Sequence, residues 1–320
     1  MNRQSANILL RRLMVLLLFC GALLLSGISS SASAQEIAFA FTNTLSPSTS
    51  LDGLARAKML VNSLKRVDVP QSMFLIRTAD INKKTIDQIV FYDDAGQLLV
   101  NAGAYESLLS RKDSSHNQID ILKANIILSQ YINYHQHIYF PYLYEGGDAK
   151  ILSALQQYLA EHGYQPTYTT YEAHDDYLDQ LYQSQLADSK YVDIEKLKNA
   201  YVKIIMDDIT AYNAKALLLL GYSPRQVILL HETDITAYSM VNLVDALIEK
   251  GFRIISPEKI FSNPIANPFF IGGYSATHYM QSITGLPSSQ REGLYQPTEA
   301  EKQKTHKHLK EQGLDALIPR

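Results

Sequence analysis

The sequence is poor in the residues that cross-link a chain, grip phosphates or span a bilayer. Its 320 residues include one cysteine, Cys20, and no tryptophan. A single thiol forms no intrachain disulfide, so a hydrophobic core must hold the fold. Charge is balanced: 29 Lys and Arg against 32 Asp and Glu give a formal net charge of −3, which makes no electrostatic case for nucleic acid. There is no Gly-rich phosphate loop, because Gly146-Gly147 lacks the spacing that must follow, and no G-x-S-x-G elbow carries a serine nucleophile. Apolar runs are short. The longest, Leu13 to Leu25, falls below the ~20 residues of a membrane span.

That run is an address. Arg3, Arg11 and Arg12 precede it, and Ala32-Ser33-Ala34 follows as a small-residue cleavage site before Gln35. Residues 1–34 are therefore expected to be a signal peptide, and the mature chain to be periplasmic or secreted with no transmembrane span. Cys20 lies inside the apolar run, and Phe19 before it is large where a lipid-attachment site needs a small residue. The remaining chain, roughly 285 residues, is long enough for one large α/β domain with a real core. Its aromatic set is dominated by 21 tyrosines. Each offers an apolar face and a hydroxyl, useful against sugars and equally ordinary in a core.

Hydrophobic periodicity gives short apolar runs alternating with amphipathic stretches. Strands are expected at Ile37–Phe41, Ser72–Ile76, Gln97–Asn101, His137–Pro141, Thr167–Tyr171, Val227–Leu230 and Phe252–Ile255. Helices are expected at Leu51–Val67, Ile119–Tyr134, Ala149–His162, Ile194–Leu220 and Tyr238–Lys250, the last three closed by Gly163, Gly221 and Gly251. The alternation predicts a parallel α/β sheet or barrel over residues 35–262. Residues 263–320 read as a C-terminal loop and helical tail, with a charged, solvated helix near Thr298–Gln312. Glu232, Asp234 and Glu249 read as solvated rim charges.

Two segments at predicted strand ends carry a resemblance. Tyr139-Phe-Pro-Tyr-Leu-Tyr-Glu-Gly-Gly147 and Val227-Ile-Leu-Leu-His231 resemble the later sequence blocks of the polysaccharide deacetylases, carbohydrate esterase family 4. Between them stand a helix ending in His162-Gly163-Tyr164, the pair Asp175-Asp176 and a long helix, in the family's order. The resemblance implies a distorted (β/α)7 barrel with the site at the C-terminal ends of the strands. It also implies a mechanism. An Asp and two His hold a metal that activates water, a second Asp takes a proton from that water, and a later His protonates the leaving amine.

The early blocks are degenerate. Ala40-Phe-Thr-Asn-Thr44 puts Thr42 in the place of the base and Asn43 in that of the metal carboxylate. Asn101-Ala-Gly-Ala-Tyr-Glu-Ser107 puts Gly103 and Ser107 at the His positions, and Tyr139 replaces the orienting Arg. His231 stands in the general acid's place, with Asp175 or Asp176, preferably Asp176, where the family has its partner Asp. The resemblance therefore implies a glycan- or partner-binding pseudoenzyme with no cofactor. Its groove would be lined by Tyr139, Tyr142, Tyr144, Asp176 and His231, facing a polysaccharide or cell-envelope glycan, with a protein partner as a further prospect. The alternative is an active hydrolase of acetyl groups whose zinc-like divalent metal sits elsewhere. His135 and His137, spaced His-x-His on one strand face, are its best ligands, with His231 or Asp176.

Overall fold

The computed structural model describes residues 35–47, 49–104, 114–139, 149–167, 169–261 and 297–319. The sheet is parallel throughout. Its strands are β1 (Gln35–Thr42), β2 (Met73–Ile76), β3 (Leu98–Asn101), β4 (Tyr134–Tyr139), β5 (Gln165–Thr167), β6 (Tyr171–Glu172), β7 (Gln226–His231) and β8 (Phe252–Ile254). The helices are α1 (Gly53–Arg66), α2 (Ile86–Asp94), α3 (Ser114–Leu128), α4 (Ala149–Glu161), α5 (Asp175–Ala187), α6 (Ile194–Leu220), α7 (Asp234–Glu249), α8 (Pro257–Phe261) and α9 (Glu299–Glu311). Among the described residues no helix is long and apolar enough to cross a membrane.

The strands pair in the order β5-β4-β3-β2-β1-β7-β6, with β8 beside the start of β1. That is the cyclic sequence of a barrel, open at the one seam between β5 and β6, so the expected α/β class holds. β1 is its axis. It is buried on both faces, as strands covered on both sides are. Ile37, Phe39 and Phe41 point to the helical layer, where they meet Leu60, Leu64, Ile205, Ile209 and Leu243. Ala38 and Ala40 point to the opposite, inner face with Met73, Leu75, Val100, Val227 and Leu229. The small alanines at the axis leave room there for Tyr139, Tyr212 and Ile260.

α6 runs as predicted because both its ends are marked. The Asp193 side chain accepts from Lys196 N, and Gly221 takes φ +74°, a left-handed stop that costs glycine little. α9 differs from expectation. Its outer face is solvated, but Thr305, His308 and Leu309 are buried, and Leu309, Leu314 and Leu317 join the main core. The charged pattern hid this because only a few apolar residues make the contact. Polar side chains complete it: Tyr177 meets His306 Nε2 at 2.9 Å, His308 Nε2 meets Asp207 at 3.1 Å, and Lys304 pairs with Asp208.

Candidate functional site

The C-terminal ends of β1 and β7 lie in register, Thr42 opposite His231. Alternation along each strand puts both on the inner face, continuing Ala38-Ala40 and Val227-Leu229. His231 is buried, and its Nδ1 is 2.7 Å from Asp175 Oδ1. The carboxylate of Asp175 also accepts from the His231 backbone N, Tyr201 Oη at 3.2 Å and Thr236 Oγ1 at 3.0 Å. Its acceptor sites are therefore spoken for by protein donors. Burial alone would lower the His231 pKa, but the hydrogen bond and charge of Asp175, with Asp176 and Glu172, raise it to about 9. At neutral pH the dyad is an imidazolium held against a carboxylate, and the imidazolium can donate from Nε2.

Asp175, not Asp176, is thus the residue that orients His231. His174, Asp175 and Asp176 open α5, and successive residues diverge. His174 Nε2 pairs with Glu301 of α9, while Asp175 turns to His231. The Asp176 carboxylate accepts from Tyr177 N at 2.8 Å. Burial raises the Asp176 pKa, the His231 charge opposes this, and the like charge of Asp175 adds to the rise.

Asn43 follows β1 at φ +57°, a left-handed geometry that Asn tolerates better than most side chains. Gly103 takes φ +92°, accepts from Thr78 N and donates from its own N to Asn101 Oδ1 at 2.8 Å. A histidine at that φ would be strained. Thr42, Asn43 and Gly103 are all neutral and none is an imidazole, so they do not fit the metal that the family's mechanism requires. Tyr139 is buried with its hydroxyl 3.1 Å from Thr169 Oγ1. Ser107, Tyr142 and Tyr144 lie outside the described residues.

Beyond His231 the chain carries a second buried polar group that sequence reasoning placed at the rim. Glu232 and Asp234 are buried, with Arg56 beside them. Arg56 Nε faces Glu232 Oε1 at 3.5 Å and Arg56 Nη1 faces Asp234 Oδ1 at 3.7 Å, charge contacts without close hydrogen bonds. Asp234 accepts from Thr49 Oγ1, the Ser50 and Leu51 backbone, and Gln183 Nε2. It thereby ties the loop after β1 to the start of α7. Tyr92 Oη lies 2.6 Å from Glu232 Oε2 and 2.8 Å from the Thr44 carbonyl. One phenolic proton cannot serve two acceptors. Burial raises the Glu232 pKa to about 7 against the opposing charge of Arg56. The Tyr92 hydroxyl donates to the Glu232 carboxylate and opposes that rise, as the Arg56 charge does. The signal missed in the sequence was Arg56, a cation on the buried face of α1 with Gly53, Ala57, Leu60 and Leu64.

No protein-family model matches the chain, and no curated protein does. Solved structures do. A family 4 carbohydrate esterase pseudoenzyme from Bacillus anthracis is similar at TM-score 0.47 and 11% identity, over 72% of this chain and 66% of that one. A family 4 acetyl xylan esterase from Clostridium thermocellum, in complex with cobalt, follows at 0.45 and 13%, covering 71% and 91%. A family 4 carbohydrate esterase from Streptomyces lividans, in complex with acetate, stands at 0.43 and 11%, covering 71% and 95%. These neighbours come from the family that the motifs resemble.

Proposed function

We propose that the chain is an exported, deacetylase-like protein that binds a cell-envelope glycan without hydrolysing it. One observation carries this reading: the His231–Asp175 dyad is kept intact while Thr42 and Asn43 stand beside it without charge. A hydroxyl cannot act as base near neutrality, and a neutral amide holds a cation weakly. An imidazolium at the end of β7 remains suited to donating hydrogen bonds to sugar hydroxyl or acetamide oxygens. Export rests on the apolar leader and its cleavage site.

The test is a binding screen of the purified protein against peptidoglycan, chitin and xylan fragments, run beside an assay for released acetate. Retention of one glycan, lost in His231→Ala and Tyr139→Ala variants that still fold, with no acetate released, supports the reading. Acetate release that depends on His231 would replace it with the hydrolase. Binding that ignores both substitutions would move the glycan to another surface.

A further inference from the structure

The opposite, N-terminal end of the sheet holds a group of ligating side chains that the glycan reading does not use. In β4 the backbone is irregular at Gln136, φ +53°, and the rings of His135 and His137 lie 6.5 Å apart. α8 reaches them because its neighbourhood is anchored at the strand starts. Ser256 Oγ donates to Gln71 Oε1 at 2.7 Å, just before β2. Arg225 Nη1 donates to the Lys259 carbonyl at 3.1 Å, just before β7. Glu258 is thereby brought within 2.6 Å of His135 Nδ1 and 3.9 Å of His137 Nε2. One ligand atom from each of the three residues lies within 4.8 Å of the others. Donors at zinc-like bond lengths around one ion sit about 3.4 Å apart, so small side-chain adjustments close the set.

We propose that His135, His137 and Glu258 form a divalent-metal site of the zinc type that ties α8 to β4 across the N-terminal mouth of the sheet. Two imidazoles and one carboxylate are a donor set that zinc favours, and a fourth position stays open to water. His135 and Glu258 are 48% and 38% exposed, which gives the ion a way in, whereas His137 is 4% exposed. A plain ion pair accounts for His135 and Glu258 but not for His137. The buried His137 ring makes a backbone hydrogen bond at Gln165, packs against Phe261 at 5.9 Å and faces Glu258 with its Nε2.

The site differs from the one that sequence spacing suggested. His231 and Asp176 belong to the other end of the strands, and the third ligand is Glu258. Nor does the proposal depend on the glycan reading, since metal uptake and glycan retention are measured separately.

The experiment uses tag-free purified protein stripped with a chelator, titrated with Zn²⁺ by calorimetry and with Co²⁺ by visible absorption. One ion per chain is expected, with the intense d–d bands of a four-coordinate cobalt site. His135→Ala and Glu258→Gln change exposed side chains and should keep the native circular dichroism while each weakens binding about tenfold or more. Zn²⁺ should raise the thermal midpoint of the parent and not of these variants. Uptake no greater than that of a His135→Ala/Glu258→Gln double variant overturns the proposal. So does undiminished binding by both folded single variants.

Discussion

The two ends of the inner sheet face handle histidine in opposite ways. At the C-terminal end of β7, one His is matched with a carboxylate that already accepts from four donor atoms: the backbone N and Nδ1 of His231, Tyr201 Oη and Thr236 Oγ1. Its electron pairs are committed and its charge is internal to the protein. At the N-terminal end, one carboxylate, Glu258, faces two imidazoles and accepts from neither a backbone N–H nor a hydroxyl among the described contacts. The first arrangement fixes a ring; the second leaves a ligand set in search of an ion. Identical residue types are thus sorted into support and reactivity by how many other donors the carboxylate serves.

The comparison breaks most sharply at Asp175. Asp175→Ala leaves His231, Tyr201 and Thr236 buried without their acceptor and should cost about 3–5 kcal/mol, measured by urea unfolding. The equivalent change at the other end, Glu258→Gln in metal-free protein, should cost less than about 1 kcal/mol, because its pair is exposed. If the two cost the same, the distinction drawn between the ends fails.

pH sharpens the contrast next. His231 titrates near 9 when folded and near its ordinary value when unfolded. The dyad's contribution is therefore complete below about 6.5 and is lost as pH rises towards 9. Glu232, near 7, and Asp179, raised to about 6 chiefly by burial, work in the same direction, since their protonated forms suit the fold. The thermal midpoint should be highest in mildly acid buffer and decline steadily from about pH 5 to 9. His231→Gln should flatten the upper half of that decline while leaving the lower half. A parent midpoint that climbs across this range would contradict the assignment.

The smallest expected effect concerns the loop that leads into the C-terminal end. Asn43→Ala forces a β-carbon residue without Asn's local hydrogen bonding into φ +57° and should cost about 1 kcal/mol, while Asn43→Gly should be neutral or slightly better. Chemical denaturation of the pair reads this directly. Equal stabilities would mean that the backbone relaxes at that turn.

Much of the framework could be read from local signals. β1, β7 and α6 are bounded by apolar runs or by caps such as Asp193 and Gly221, so their positions follow from neighbouring residues alone. α2 and α5 escaped because their apolar faces are diluted by Asp, Gln and Ser. Their helicity is settled by packing, as where Leu178 and Tyr182 enter the main core. The site divided in the same way. His231 and the Asp175-Asp176 pair are legible as a motif, but which Asp turns inward depends on the opening turn of α5. Glu258 could not be paired with His135 from sequence, because 123 positions separate them and long-range contacts join them: the pairing of β8 with the start of β1 and the bonds Ser256–Gln71 and Arg225–Lys259.

α9 has a temporal consequence. Glu301 closes the helix's own capping box with Thr298 and also pairs with His174, next to Asp175. During synthesis, the stretch that seats Leu309 emerges later than β7, by a delay on the order of ten seconds at ordinary elongation rates. The His231–Asp175 dyad can form on the nascent chain while one flank of its supporting core is still bare. A trailing helix that both completes the core and clasps the turn beside the dyad makes this end of the fold the last to be sealed in the chain's biogenesis.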